Sequence, residues 1–333
     1  MTLRIRLFAA AALACAAAGL SCSRSDNVLH LYTSLDSQEA PRYVDAFQRE
    51  TGVRVRWVRL SAGEALARLE AERNNPQVSV WFGGPAPEFI VAAQRGLLEP
   101  YAPELDFTLP DDARGAGDAW TGFYRGFIGF ICNEQFLAER QMACPRSWDA
   151  LLDPRLRGHI SVAYPYTSGT AYVLVVALLE LMGEDAGWEY IRQLDGQVQR
   201  YNSSGTAAVT QVGMGEAGVG IAFAHDILKK GVERGYPVVL GMPGDGTPPE
   251  VGAVALVRGG RQPELAAQFV DWLLGRQAQD LLAEFYRVPI NPSAQMAEGT
   301  VTGDALNVIR YDPEQAARDQ PAILGRWRQL TGR

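Results

Sequence analysis

Two short turns rich in hydroxyl groups and glycine are the segments of this sequence best suited to hold an anion. Ser168-Gly169-Thr170 comes after a predicted short strand and before an apolar run long enough for a buried helix. Ser204-Gly205-Thr206 repeats this order of strand, turn and helix. The first backbone N–H groups of a helix lack partners within the helix and carry the positive end of its dipole. The two turns could therefore converge on one anion. The alternative, two independent helix caps, stays open.

A second set of polar residues could recognise hydroxyl groups. His225 and Asp226 come at the carboxyl end of a predicted strand, and Glu250 comes just before another. A carboxylate accepts hydrogen bonds, whereas histidine can donate or accept, so the three together suit sugar hydroxyls. Glu250 would also suit an ammonium group. In the alternative interpretation, Asp226 merely caps the next helix and His225 is an exposed neighbour.

The sequence lacks the usual catalytic signatures. The chain has three histidines and contains no HExxH, GxSxG or Walker A motif. The segment Gly213–Gly218 matches GxGxxG, but a predicted helix precedes it and a predicted strand follows. This order is the reverse of that in a dinucleotide site, so we expect a helix-to-strand turn and no cofactor.

Composition indicates an exported globular protein. The 333 residues are 47% hydrophobic and 21% charged, and a net charge of −7 argues against a nucleic-acid partner. Two arginines followed by an apolar stretch predict a secretory signal over residues 1–21. Cys22 follows small residues, as in a bacterial lipobox, and a polar tether over 22–27 comes next. We therefore expect a periplasmic protein that is lipid-anchored through Cys22.

Two cysteines remain after this segment, Cys132 and Cys144. In an oxidising compartment, a pair this close in sequence could form a disulfide. Two separate buried thiols are the alternative. The sequence has no CxxC motif, so we do not expect a zinc site.

Strands alternate with helices along most of the chain, which predicts an α/β fold with parallel, doubly wound sheets. Ligands of such sheets bind beyond the carboxyl ends of the strands. The loops Thr33–Ser37 and Gly83–Glu88 should therefore face one crevice, with Thr33 and Ser34 contributing to it. An aromatic and glycine-rich segment near Tyr124–Phe130 looks like a crossing to a second lobe.

Longer motifs resemble the periplasmic solute-binding proteins of ABC transporters, in the branch of ferric-iron, sugar-phosphate and phosphonate binders. They are the segments 31–34, 147–160, 167–170, 215–221 and 287–292, of which Ser147-Trp148-Asp149-Ala150-Leu151-Leu152-Asp153-Pro154 is the most specific. The resemblance implies a two-lobed type II clamp, each lobe a doubly wound sheet flanked by helices. Lobe 1 would comprise 28–123 and 250–333, and lobe 2 would comprise 124–249. The crossings near Tyr124–Phe130 and Thr247–Val251 would act as hinges.

The resemblance also implies a function. Such proteins are not enzymes; they close on a small solute and deliver it to a membrane permease with its ATPase, and we expect a monomer. Iron binders of this branch present an adjacent Tyr-Tyr pair that this sequence lacks. Iron would have to rely on carboxylates, namely Asp36, Glu88, Asp226 and Glu250.

In the sugar-phosphate binders, a His-Asp pair and a glutamate hold the sugar, and hydroxyl-rich helix starts hold the phosphate. We therefore expect a small anionic solute, a phosphorylated sugar or a phosphonate, with ferric iron as the alternative. A secreted phosphatase that uses His225 and Asp226 is a second alternative. The predicted ligand-binding residues are Thr33, Ser34, Ser168, Gly169, Thr170, Ser204, Gly205, Thr206, His225, Asp226 and Glu250.

Overall fold

The computed structural model describes residues 27–333. The predicted signal peptide and Cys22 lie outside these residues. Within the described part of the chain, no helix is both long enough and apolar enough to cross a membrane.

Eleven strands form the framework of the fold. They are β1 (Val28–Thr33), β2 (Arg54–Arg59), β3 (Val80–Pro85), β4 (Leu98–Glu99), β5 (Thr121–Asn133), β6 (Ile160–Ala163), β7 (Val198–Asn202), β8 (Val219–Phe223), β9 (Val238–Gly241), β10 (Pro249–Val257) and β11 (Val288–Pro289).

Eleven α-helices surround the strands in the described residues. They are α1 (Ala40–Thr51), α2 (Ala62–Ala71), α3 (Ala86–Gln94), α4 (Glu134–Glu139), α5 (Gly169–Met182), α6 (Glu184–Asp195), α7 (Ala207–Gly213), α8 (Ala224–Ile227), α9 (Pro263–Leu274), α10 (Arg276–Asp280) and α11 (Pro313–Thr331).

The strands run in the order β2-β1-β3-β10-β5-β8-β6-β7, and the long strand β5 joins the two halves. Its first part pairs with β10, and its second part, from Ile128 onward, pairs with β8 and β9. The predicted α/β fold is confirmed. The strands β2-β1-β3 and β7-β6-β8 are parallel, as expected, whereas the crossing strands β5 and β10 are antiparallel to their neighbours.

Each half has a core on both faces of its sheet, because side chains alternate along a strand. In the first half, Phe82 packs with Tyr43, Phe47 and Phe269 on one face. On the other face, Trp81 stacks on Phe89 with ring centroids 3.8 Å apart. The second half repeats this arrangement, with α5 and α6 on one face and α7 on the other.

The last helix does not follow the predicted boundary between lobes. Residues 250–333 were all expected in lobe 1, but Trp327 of α11 is buried in the core of the second half, against Tyr164, Tyr166 and Tyr201. The start of α11 packs on the first half instead, where Ala317 joins the core beside α3. The helix thus contacts both lobes.

Cys132 and Cys144 lie within bonding distance. Their sulfur atoms are 2.07 Å apart, and the Cα atoms are separated by 5.7 Å. Cys132 is near the end of β5, so the bond ties the loop that follows α4 to the end of the strand that joins the two halves.

Candidate functional site

The turn between β6 and α5 forms one wall of a cavity between the lobes. Ser168 has an extended backbone and caps α5, its hydroxyl accepting from the Ala171 amide at 3.5 Å. The helix that follows is almost wholly apolar, as the sequence predicted, and most of it up to Leu178 is buried. Gly169 and Thr170 form its first turn and also line the cavity. The start of α5 therefore points its free N–H groups toward this space.

The turn between β7 and α7 lies directly against the first turn. A Cβ atom on Gly205 would stand 2.5 Å from Thr170 Oγ1 and 3.2 Å from Ser168 Oγ, so only glycine fits there. Ser204 and Thr206 place their hydroxyl oxygens 3.2 Å apart at the same cavity. The two turns, hereafter the hydroxyl seat, thus meet in the structure.

A cation that the sequence analysis missed reaches the hydroxyl seat from the other lobe. Arg59 ends β2, and its Nη2 donates to Ser204 Oγ at 3.0 Å while Nη1 donates to Ser61 Oγ at 3.2 Å. The rule that selected the loops after β1 and β3 applies equally to β2, because all three strands are parallel. That rule could have identified Arg59.

His225, Asp226 and Glu250 form a buried polar cluster that lines the same cavity. His225 Nε2 lies 3.6 Å from Asp226 Oδ2 and 3.9 Å from Glu250 Oε2. The Tyr124 hydroxyl donates to Glu250 Oε1 at 2.7 Å. The first two residues lie in the short helix α8, not at a strand end as predicted, because β8 already stops at Phe223.

Burial controls the charge of this cluster. It raises the pKa of Glu250 to about 8 and that of Asp226 to about 6, even though the Arg287 guanidinium opposes both shifts. Burial lowers the pKa of His225 well below its ordinary value, and Arg287 adds to that effect. At neutral pH the cluster therefore holds a neutral imidazole and a largely protonated Glu250 carboxyl.

Arg287 is the second residue that sequence reasoning did not assign. It makes a bidentate ion pair with Glu39, with both N–O distances at 2.8 Å, and its Nη1 donates to His225 Nε2 at 2.7 Å. Its guanidinium also lies 4.0 Å from the centre of the Tyr124 ring. The segment 287–292 contributed to the family resemblance, but nothing in its pattern indicated contact with His225.

The remaining sequence-predicted residues come from the first lobe, and not all of them line the cavity. Thr33 is fully buried and its hydroxyl accepts from the Leu35 amide, so it does not line the cavity as predicted. Ser34 does line the cavity and accepts from Trp81 Nε1. Asp36 pairs with Lys230 at 2.7 Å. Glu88 is buried beside Gly169, with its Oε1 3.1 Å from where a Cβ of that glycine would be.

The carboxylates proposed for iron do not form a metal site. Asp226 and Glu250 share the polar cluster, whereas Asp36 is engaged by Lys230 and Glu88 lies beside α5. Among residues 27–333, no group of three or more histidine, cysteine or acidic side chains has a metal-binding arrangement.

The two lobes are closed on each other. Arg59 and Ser204, Asp36 and Lys230, and the Gly63 amide and Thr167 carbonyl all make contacts of 3.0 Å or less across the cleft. The remaining space is about 40 Å³, enough for only a few water molecules. A solute larger than a few atoms can enter only if the lobes separate.

The geometry is that of a two-lobed receptor, and sequence comparison agrees. Residues 89–313 match the family of bacterial extracellular solute-binding proteins. The chain belongs to this family. Proteins of the family are typically not enzymes, and the chain is the periplasmic solute-binding component of an ABC transporter, which delivers its ligand to a permease and ATPase.

Several family members are similar over most of their length. An uncharacterized protein of Haemophilus influenzae is 32% identical over 94% of each chain. A putative 2-aminoethylphosphonate-binding periplasmic protein of Salmonella typhimurium is 26% identical over 86% of each chain. The structure of the periplasmic binding protein AfuA from Actinobacillus pleuropneumoniae, with fructose-6-phosphate bound, has a TM-score of 0.87 and 29% identity, covering 91% of this chain and 98% of AfuA.

An iron-bound protein shares the architecture at lower identity. Iron-bound HitA from Pseudomonas aeruginosa has a TM-score of 0.78 and 21% identity, covering 91% of this chain and 99% of HitA. This similarity shows the fold alone.

Proposed function

We propose that this solute-binding protein captures a small sugar phosphate, with the phosphate in the hydroxyl seat and the sugar at the polar cluster. The observation that carries the proposal is the convergence of the two turns with Arg59. It brings four hydroxyl side chains, the start of α5 and a guanidinium to a single cavity. Guanidinium and free N–H groups are the donors that phosphate oxygens prefer.

The polar cluster favours hydroxyl groups over an ammonium group. Arg287 already places a cation next to His225 and 4.0 Å from Glu250 Oε2. A ligand ammonium at the polar cluster would lie beside that guanidinium and be repelled. This argues for a sugar phosphate over an aminophosphonate. The AfuA structure, whose ligand is fructose-6-phosphate, supports the same choice by similarity.

Capture would proceed by hinge closure. The lobes would open around β5 and β10, the two strands that connect them, and the cross-lobe contact of Arg59 with Ser204 would break. The protein would act as a monomer held at the membrane through Cys22. Binding would reverse these movements, and the closed form would be recognised by the permease.

A binding panel tests the proposal. Isothermal titration with fructose 6-phosphate, glucose 6-phosphate, fructose, inorganic phosphate, 2-aminoethylphosphonate and Fe(III) should show tight one-to-one binding of a sugar phosphate. Free fructose should not bind measurably. Preferential binding of 2-aminoethylphosphonate would contradict our assignment of the polar cluster. Binding of Fe(III) with a visible charge-transfer band and no response to sugar phosphates would overturn the proposal.

Thr170→Asp supplies a second test. It would put a fixed negative charge in the hydroxyl seat, where it would repel phosphate. We expect binding to be lost while the thermal unfolding temperature stays close to that of the wild type. If the variant still binds the sugar phosphate with wild-type affinity, the phosphate must lie elsewhere.

A further inference from the structure

We propose that Arg287 is a positioning residue that holds His225 as a neutral imidazole with its proton on Nδ1. The assignment of the proton depends only on the contacts within the protein. Its consequence for ligand recognition rests on the proposed function.

The direction of the hydrogen bond follows from the chemistry of the two groups. A guanidinium carries five N–H donors and has no lone pair with which to accept. Arg287 Nη1 lies 2.7 Å from His225 Nε2, so Nη1 donates and Nε2 must offer its lone pair. A neutral imidazole with Nε2 unprotonated carries its proton on Nδ1.

Glu39 determines which nitrogen of Arg287 faces the histidine. Its two carboxylate oxygens accept from Nε and Nη2, both at 2.8 Å. Only Nη1 is left to point toward His225. Because Glu39 and Arg287 are both almost fully buried, the Arg287 guanidinium has little freedom to turn away from His225.

The other groups around His225 compete with this effect. Asp226 and Glu250 place carboxyl oxygens 3.6 and 3.9 Å from Nε2, and ionised carboxylates there would favour an imidazolium. The nearer guanidinium disfavours it, and so does burial, since the ring stacks on Phe223 and meets the edge of Tyr124. Lys230 opposes them indirectly, because it lowers the pKa of Asp226 and so favours the ionised carboxylate. Burial and Arg287 together keep the pKa of His225 low.

The fixed proton limits what His225 can offer a ligand. Nε2 is occupied by Arg287, so a bond from His225 to a solute can only be donated, from Nδ1. That nitrogen and Glu250 Oε2 are both buried without a hydrogen-bond partner in the described residues. Both border the same corner: a Cβ on Gly126 would stand 2.6 Å from Nδ1 and 3.2 Å from Oε2. Because Glu250 is largely protonated and its Oε1 accepts from Tyr124, Oε2 carries the proton, so this corner offers two donors. A ligand hydroxyl oxygen has two lone pairs and can accept from both.

Nitrogen-15 NMR of the histidine ring tests the assignment without any ligand. The chain has three histidines, so spectra of ¹⁵N-histidine-labelled protein are simple, and His225→Asn identifies the signals of interest. From about pH 5 to about pH 8, across the ordinary histidine pKa, we expect His225 to stay neutral with a protonated Nδ1 and a lone pair on Nε2. A proton on Nε2, or titration near the ordinary histidine pKa, would overturn the proposal.

Two variants separate positioning from a structural role. Arg287→Gln and Glu39→Gln break the same buried ion pair, but only the first removes the cation beside His225. Between about pH 5 and about pH 8, we expect His225 to titrate in Arg287→Gln and to remain neutral in Glu39→Gln. Identical His225 behaviour in the two variants would mean that Arg287 acts only structurally. If neither variant folds, as judged by circular dichroism, the wild-type spectrum still tests whether Nδ1 of His225 carries the proton.

Because no ligand is added, this experiment can fail independently of the proposed function. A protein that binds no sugar phosphate can still show the Nδ1 proton. Conversely, a sugar-phosphate binder in which His225 titrates normally would refute the role of Arg287 alone.

Discussion

Gly205 lies against Thr170 so closely that a Cβ atom on the glycine would stand 2.5 Å from the threonine hydroxyl and 2.9 Å from its Cβ. The two residues belong to turns after different strands, β6 and β7, which are parallel neighbours. Because these residues touch, the two similar turns form one continuous surface. The hydroxyl seat therefore depends on the absence of a single methyl group.

Gly205→Ala should weaken sugar-phosphate binding. The new methyl group would push the two turns apart, and overpacking of this kind costs about 1–3 kcal/mol. We expect fructose 6-phosphate to bind roughly 5- to 150-fold more weakly, as measured by isothermal titration.

Gly325→Ala is the matched control for this substitution. Gly325 lies inside α11, and a Cβ there would meet nothing within 4 Å. Alanine at such a helix position is stabilising by about 0.5–1 kcal/mol, and ligand affinity should not change. Equal affinities in the two variants would show that contact between the turns is not needed for binding.

Arg59→Gln should reduce affinity for phosphorylated ligands more than for any neutral ligand. The guanidinium supplies a charge-assisted contact, and such bonds contribute about 1.5–3 kcal/mol. We expect the dissociation constant for fructose 6-phosphate to rise by roughly 10- to 150-fold. Arg56→Gln removes the same charge from an exposed position of the same strand and should leave affinity unchanged. A comparable loss in both variants would point to a long-range effect of net charge.

Glu88→Gln should stabilise the protein at alkaline pH. Burial raises the pKa of Glu88 to about 8 from 4.5, and its Oε2 has no hydrogen-bond partner in the described residues. The folded protein therefore keeps this proton up to about pH 8, whereas the unfolded chain releases it near pH 4.5. Stability must fall as pH rises through that interval, by about 1.4 kcal/mol per pH unit from this group.

The difference between variant and wild type isolates the Glu88 contribution, since Glu250 and Asp226 titrate in both proteins. Denaturant unfolding at about pH 4 and about pH 8 should give similar stabilities at the lower pH and a more stable variant at the higher. Glu298→Gln, at an exposed position, should match the wild type throughout. A variant that is less stable than the wild type at both pH values would contradict the buried, protonated state of Glu88.

The cysteine pair should contribute measurably to stability. The two residues are 12 apart in sequence, and closing a loop of this size stabilises a fold by about 3 kcal/mol. Adding a reductant should lower the unfolding temperature of the wild type by several degrees. A Cys132→Ala/Cys144→Ala double variant should start from the lower temperature and ignore the reductant. Insensitivity of the wild type to reductant would indicate two free thiols.

The alternation of strands and helices was sufficient to predict the two-sheet architecture and most elements of the sheets. The two-residue strands β4 and β11 were missed, because so short a segment has no periodicity. The contacts of α11 with the second lobe were not predicted, for a different reason. The amphipathic pattern of α11 indicates that one of its faces is buried, but it does not identify the surface against which Trp327 packs.

The hydroxyl seat was predictable because each turn carries its own local signal and parallel strands bring such turns to one edge. Arg287 was not. Its partners are Glu39, 248 residues away in sequence, and His225, 62 residues away, and a lone arginine before a short strand carries no local signal. Such a buried network exists only once the two lobes have formed, so it can be recognised only in the folded structure.

Because α11 contacts both lobes, its contacts depend on how far apart the lobes are. Trp327 is fixed in the second lobe, whereas Glu314 near the helix start accepts from Gln94 of α3 in the first. If the lobes separate, α11 cannot keep its contacts with both of them. Either the packing of Trp327 or the contacts of Ala317 and Glu314 with the first lobe must change. Fluorophores attached at Gln94 and Glu314 would give an optical signal of cargo capture if the distance between these two positions changes. Both positions are far from the cavity, and neither residue lines it.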